Sequence, residues 1–147
     1  MTVCITWLTI EQVIRIHETQ IKTHGGSLGL RDRGSLESAL NRPKNSLHYG
    51  KYVDVPSLAA VYSYGITKNH PFIDGNKRTG FITSLNFLVL NNFDFDASNS
   101  DVVETILKLA NNEIDEEMLV NWFRANSSEI LNQDEYNLNT FSKFSKH

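Results

Sequence analysis

The chain has 147 residues, 40 % of them apolar, with 14 Lys and Arg against 17 Asp and Glu and a single cysteine. This is the length of one domain with one core, and a formal charge of −3 gives no global attraction to nucleic acid or an anionic membrane, so any phosphate site must be a local arrangement. One cysteine excludes an intrachain disulfide scaffold, and no basic leader or run of ~18 apolar residues is found, so a cytoplasmic protein is expected.

Cys4, in Val3-Cys4-Ile5, reads as a small buried residue. Thr9 with Gln12 forms a capping-box pattern, and Ile10, Val13, Ile14, His17 and Ile21 follow at helical spacing, predicting a first helix over about 10–23. Gly25, Gly26 and Gly29 mark a loop. Ser35 then caps a short helix carrying Leu36, Ala39 and Leu40 that Pro43 ends, and 44–54 shows no helical pattern. Pro56 suits the first position of a third helix, with Leu58, Ala59, Val61, Tyr62 and Ile66 on its apolar side, stopping before Pro71.

The run from about Asn76 to Leu90 carries Phe81, Ile82, Leu85, Phe87, Leu88 and Val89. A helix apolar nearly all round belongs at the centre of a bundle. Ser100 and Asp115 are expected to cap helices over 101–111 and 116–126. All these elements are helices, so the expected fold is an all-α bundle of about six, with a domain over 1–127 and a polar tail over 128–147 that is helical or disordered.

The chemistry is concentrated in His70-Pro71-Phe72-Ile73-Asp74-Gly75-Asn76-Lys77-Arg78, between the third helix and the one after it. A helix start presents unpaired N–H groups and the positive end of the dipole, which attract phosphate. Gly75 permits close backbone approach, Lys77 and Arg78 add charge, and Asn76 offers a side-chain amide. A naked phosphate would repel Asp74, so its place there makes sense if it holds Mg2+ on the phosphate oxygens. An imidazole titrates near neutral pH, which suits His70 to accept a proton from an attacking hydroxyl, and Phe72 is expected to point into the core. Taken singly each residue has an ordinary explanation as a cap, a turn or a solvated face; the combination at one helix entrance is what points to a polyphosphate. A Walker A loop fails because Asn76, not glycine, precedes Lys77. His17 and His24 lack a third ligand for zinc and read as packing or surface histidines, and His48 and His147 carry no signal.

His70 to Arg78 resembles the Fic signature HxFx(D/E)GNxR, and Lys77 makes it similar to the NKR form of the death-on-curing (Doc) toxins. Weaker similarity, in the same order, appears in Gly25-Gly26, Gly29-Leu30-Arg31-Asp32, Leu36-Glu37-Ser38-Ala39-Leu40, Asn69-His70-Pro71-Phe72 and Asn121-Trp122, covering about 9–125. The resemblance implies a bundle of about six helices with a short irregular flap near Ser46 to Tyr52 that aligns a target chain. It implies His70 as general base, Asp74 as magnesium ligand, and Gly75, Asn76, Lys77 and Arg78 as the nucleotide-phosphate site. It further implies an ATP-dependent protein phosphotransferase that moves the γ-phosphate to a Ser or Thr hydroxyl of a translation factor such as elongation factor Tu. Such a toxin is restrained by a small antitoxin, and no internal (S/T)xxxE(G/N) inhibitory helix is found in this chain.

Two other functions compete. Fic proteins more commonly transfer AMP, but similar AMP-transferring members carry Gly where Lys77 stands, and a second Arg where this chain has Phe81. A helical binding module without catalysis would tolerate replacement of both His70 and Asp74.

Overall fold

The computed structural model describes residues 4–130, so the expectations for the polar tail beyond Ile130 lie outside the described residues. Among the described residues six helices run in chain order: α1 (Ile10–His24), α2 (Arg33–His48), α3 (Val55–Asn69), α4 (Asn76–Leu90), α5 (Asn99–Ala110) and α6 (Glu116–Asn126). Among the described residues no helix is long and apolar enough to cross a membrane. The expected all-α bundle is therefore what forms, with one addition. Strands β1 (Phe93–Phe95) and β2 (Ser127–Glu129) pair antiparallel, Phe93 opposite Glu129 and Phe95 opposite Ser127. Three residues per strand are too few for a period-two pattern to stand out in the sequence.

The caps account for most boundaries. Thr9 and Gln12 make the expected reciprocal box, and Asp115 accepts from the Met118 N–H at the start of α6. Two caps move. Asp32, not Ser35, caps α2 by accepting from the Ser35 N–H, and Ser98, not Ser100, caps α5; each time a second capping-type residue two or three positions upstream reaches the N3 N–H. The larger correction is at Pro43, which lies inside α2 instead of ending it. Its ring is buried against the core, and packing offsets the lost backbone bond that a proline costs in an isolated helix. The helix thus runs five residues past it to His48, so that only about 49–54 is irregular. Cys4 is exposed, because the segment leading to α1 is extended and Ile5 and Trp7, not Cys4 and Thr6, turn inward.

The core is built around α3, not α4. Every residue from Val55 to Thr67 except Tyr64 is buried, and this stretch holds no charge. α2, α4 and α6 lie against it. On α4 the buried face is Thr79, Gly80, Thr83, Ser84, Phe87 and Leu88, while Val89 and Leu90 are exposed. Small residues let the two backbones approach: a Cβ on Gly80 would stand 3.2 Å from the Ser63 carbonyl. The Ser63 hydroxyl donates to the Gly80 carbonyl at 3.0 Å and meets the Ser84 hydroxyl at 2.6 Å. Apolar content alone marked α4 as central, but which helix is surrounded depends on how closely neighbours can come. From the second turn of α4, Phe81 forms an aromatic cluster with Phe95, Trp122 and Phe123 that joins α4, β1 and α6. At the end of α3 Lys68 donates to the Leu109 carbonyl at 2.6 Å, drawing the end of α5 towards it.

Candidate active site

The site lies where α3 ends and α4 begins. His70 is the C-cap of α3 in the left-handed conformation (φ 52°, ψ 53°), which turns the chain sharply out of the helix. Pro71 prevents the helix from continuing. Phe72 is buried as expected, at 1 % exposure, and stacks on the His17 ring with centroids 3.9 Å apart and planes 6° apart. Asn76 holds the loop from the other side. Its Oδ1 accepts from the Phe72 N–H and its Nδ2 donates to the Phe72 carbonyl, both at 2.9 Å. One amide hydrogen and the backbone N–H are what Asn76 retains for a ligand.

Asn76→Ala would strand both Phe72 backbone groups in the core at ~1–3 kcal/mol each. The expected outcome is a loss of about 2–6 kcal/mol in unfolding free energy, read as a lower urea midpoint at unchanged slope.

Asp74 is exposed, with Oδ1 accepting from the Gly75 N–H at 2.8 Å and Oδ2 from the Ser27 N–H at 3.2 Å. These bonds, first from Ser27 and then from Gly75, with Arg78 nearby, hold the Asp74 carboxyl below its usual range. It is a carboxylate throughout the neutral range. Gly26 makes the Ser27 contact possible: at φ 116° it adopts a backbone that side chains disfavour, and a Cβ there would fall 2.6 Å from the Asp74 carboxylate. The Asp74 carbonyl accepts from His17 Nε2 at 2.8 Å. His17 is thus buried structure beneath the loop, in line with its reading as a packing histidine.

Gly75 (φ 75°) precedes α4, and no side chain caps that helix. Its first-turn N–H groups and the positive end of its dipole therefore face the loop. Lys77 is exposed and Arg78 half-buried, the latter donating to the Gly25 carbonyl at 3.2 Å. Thr67, His70, Asp74, Gly75, Asn76, Lys77, Arg78 and Ala110 line one pocket of about 340 Å³. Every residue singled out from the sequence as a base, metal ligand or phosphate contact lines this one depression.

An exposed imidazole and a carboxylate facing a cationic, uncapped helix start are the arrangement implied by the signature, and residues 7–88 match the model of the Fic/DOC family. The chain belongs to the Fic/DOC family. Over 81 residues it is 32 % identical to a protein of Escherichia phage P1 named protein kinase doc, a match that covers 55 % of this chain and 64 % of that one. Over 83 residues it is 35 % identical to the Toxin Doc of Mycolicibacterium smegmatis, covering 52 % of this chain and 63 % of that protein. The chain thus matches slightly under two thirds of the length of these curated relatives.

Within this Fic/DOC chain the segment expected as an irregular flap, Ser46 to Tyr52, is helical as far as His48, so only its second half, from Tyr49, is a loop. Lys51 donates to the Ser46 carbonyl through its backbone at 2.9 Å, and its side chain meets the buried Glu116, which Arg42 also binds at 2.7 Å. Tyr49, at 81 % exposure, and Lys51 border a second pocket that includes Asn69, the neighbour of His70. Two residues at the site had no role assigned from the sequence. His17 recurs with Val13 and Ile21 at helical spacing and reads as a packing or surface histidine, but nothing in sequence places Phe72 upon it. Arg31 belongs to a stretch noted only as a match, and its contacts with the loop span 38 and 39 residues of sequence.

Proposed function

We propose that this Fic/DOC chain is the toxin of a toxin–antitoxin pair, and that it transfers the γ-phosphate of ATP to a Ser or Thr hydroxyl of a translation factor such as elongation factor Tu in the cytoplasm. The observation that carries this reading is the single pocket in which His70 faces Asp74, Lys77, Arg78 and the uncapped start of α4. The name of the phage P1 relative, protein kinase doc, favours phosphate over AMP transfer.

In this reading the acceptor hydroxyl enters beside His70, and a ring nitrogen of His70 takes its proton as oxygen attacks the γ-phosphorus. The new O–P bond forms while the bond to ADP breaks, and ADP leaves. Lys77, Arg78 and the α4 N–H groups neutralise charge that develops on the transferred group. The loop at 49–54 guides the target chain towards His70. A small antitoxin that covers the pocket or this loop restrains the enzyme.

Magnesium fits the donor set present. Each Asp74 oxygen takes one N–H and keeps a lone pair free. Among the described residues no group of three or more His, Cys, Asp or Glu could hold a metal, but magnesium needs only one or two carboxylates when phosphate oxygens and water complete its shell. Asp74 would hold the ion, which when bound would supply charge neutralisation on the phosphates. Asp74→Asn is expected to raise the half-saturating Mg2+ concentration by at least about tenfold, since loss of a ligand's charge costs no less than loss of a residue that supports a ligand; a magnesium titration of the transfer rate checks it. An unchanged titration would remove Asp74 from this role.

The test of the whole reading is incubation of the protein with bacterial lysate and ATP labelled separately at the α and γ phosphates. Label from the γ position in a protein band is expected. Label from the α position would make the chain an adenylyltransferase, and neither label would leave a binding module. Expression of the chain alone should arrest growth, with relief by its antitoxin.

A further inference from the structure

The imidazole assigned above as general base stands on a backbone that needs an external hold. His70 is left-handed, a conformation disfavoured for any residue with a Cβ, and its side chain is exposed, so packing does not fix it. The hold comes from residues 29–32. The Gly29 carbonyl accepts from the Ile73 N–H at 3.0 Å, and Leu30 pairs with Phe72 in an antiparallel bridge. The Arg31 and Asp32 N–H groups both donate to the Pro71 carbonyl, at 2.7 and 3.0 Å. From the same strap the Arg31 side chain reaches back to the end of α3. Its Nε donates to the His70 carbonyl at 2.7 Å and its Nη2 to the Asn69 carbonyl at 3.0 Å.

We infer that Arg31 is a positioning residue for catalysis: its guanidinium clamps the Asn69 and His70 carbonyls and so sets where the His70 imidazole stands over the anion site. The two carbonyls belong to the negative end of the α3 dipole, where a cation is favoured. The fork of the guanidinium spans two adjacent acceptors at once, which an ammonium cannot do with the same geometry. Arg31 does not line the pocket, so its effect passes through His70 and not through the nucleotide. This inference rests on the assignment of His70 as the base.

The test combines rates with a direct view of the ring. The maximal rate of γ-label transfer in lysate and the half-saturating ATP concentration are measured for wild type, Arg31→Ala, Arg31→Lys and His70→Ala, and the His70 ring signals are followed by NMR in the Arg31 variants. Arg31→Ala is expected to lower the maximal rate by roughly ten- to a hundredfold, the scale of a misplaced catalytic group. Half-saturating ATP should stay within about twofold, because phosphate contacts are intact. The His70 ring signals should broaden or split, and Arg31→Lys should fall between the two. If Arg31→Ala fails to fold, Arg31→Lys, which keeps the aliphatic stem and a cationic head, is expected to show by itself a rate below wild type together with altered ring signals. An unchanged rate with unchanged ring signals would overturn the inference. So would a rise in half-saturating ATP that accounts for the whole loss, since Arg31 would then act on nucleotide binding. A His70→Ala variant with normal turnover would instead remove the general-base assignment, while ring signals disturbed in Arg31→Ala would still establish the clamp.

Discussion

His70→Ala is expected to slow γ-phosphate transfer by at least about 100-fold, the lower bound for loss of a general base, with the fold kept intact. A Ser or Thr hydroxyl is a weak nucleophile until its proton has somewhere to go. Of the residues lining the pocket, His70 carries the side chain suited to accept that proton near neutral pH. Asp74 is held as a carboxylate below its usual range by two backbone N–H groups, which makes it a poor proton acceptor. Lys77 and Arg78 are cations. The fold should tolerate the change because the His70 ring is exposed and its removal leaves no cavity. The left-handed backbone favours histidine over alanine only slightly, so a small fall in the melting temperature, well short of unfolding, is expected. Initial rates with γ-labelled ATP and a thermal melt decide it; full activity in a folded variant would end the assignment.

Lys77→Gly is expected to depress γ-phosphate transfer strongly and to lower the ratio of γ to α label in modified protein. The phosphorus that reacts is the one that the anion site places in line with the hydroxyl, about 3 to 3.5 Å away. Lys77 lies on the first turn of α4 and borders both the pocket that holds His70 and a neighbouring apolar depression formed with Phe81, Val102, Val103, Ile106 and Leu107. Its ammonium can meet the charge on a transferring γ-phosphoryl group, while its stem occupies space that glycine would leave to the nucleotide. Phe81 is committed to the cluster with Phe95, Trp122 and Phe123. No guanidinium therefore stands at that position to hold the phosphates in the other order, and α transfer by the variant should be weak. Lys77→Ala is the control for helix stability, since glycine costs about 1 kcal/mol more than alanine within a helix. Retention of full γ transfer by Lys77→Gly would show that Lys77 does not choose the phosphate.

Most of the helical layout was legible because capping residues and apolar spacing act within one or two turns. Thr9 with Gln12 and Asp115 at α6 stand where local rules place them. The structure departs from local pattern where two capping signals compete or where packing overrules one. Asp32 and Ser98 took caps from Ser35 and Ser100, and Pro43 stayed helical because its ring is buried. The β1–β2 pair joins Phe93–Phe95 to Ser127–Glu129 across more than thirty residues, and no short-range pattern announces it.

The class of fold, the candidate loop and the types of side chain in it are legible in the chain, because helix periodicity and the contiguous run from His70 to Arg78 are local properties. Which helix is surrounded follows only from packing, since it depends on the close contact of Gly80 and Ser63 across the α3–α4 seam. The tertiary structure alone decided how the loop is held: His17 from below through Asp74 and Phe72, Ser27 at the Asp74 carboxylate, and Arg31 at the His70 and Asn69 carbonyls. These contacts join residues 38 to 57 positions apart. Closing such separations has an entropic cost that local preference cannot offset, and burial of the bundle core supplies the difference.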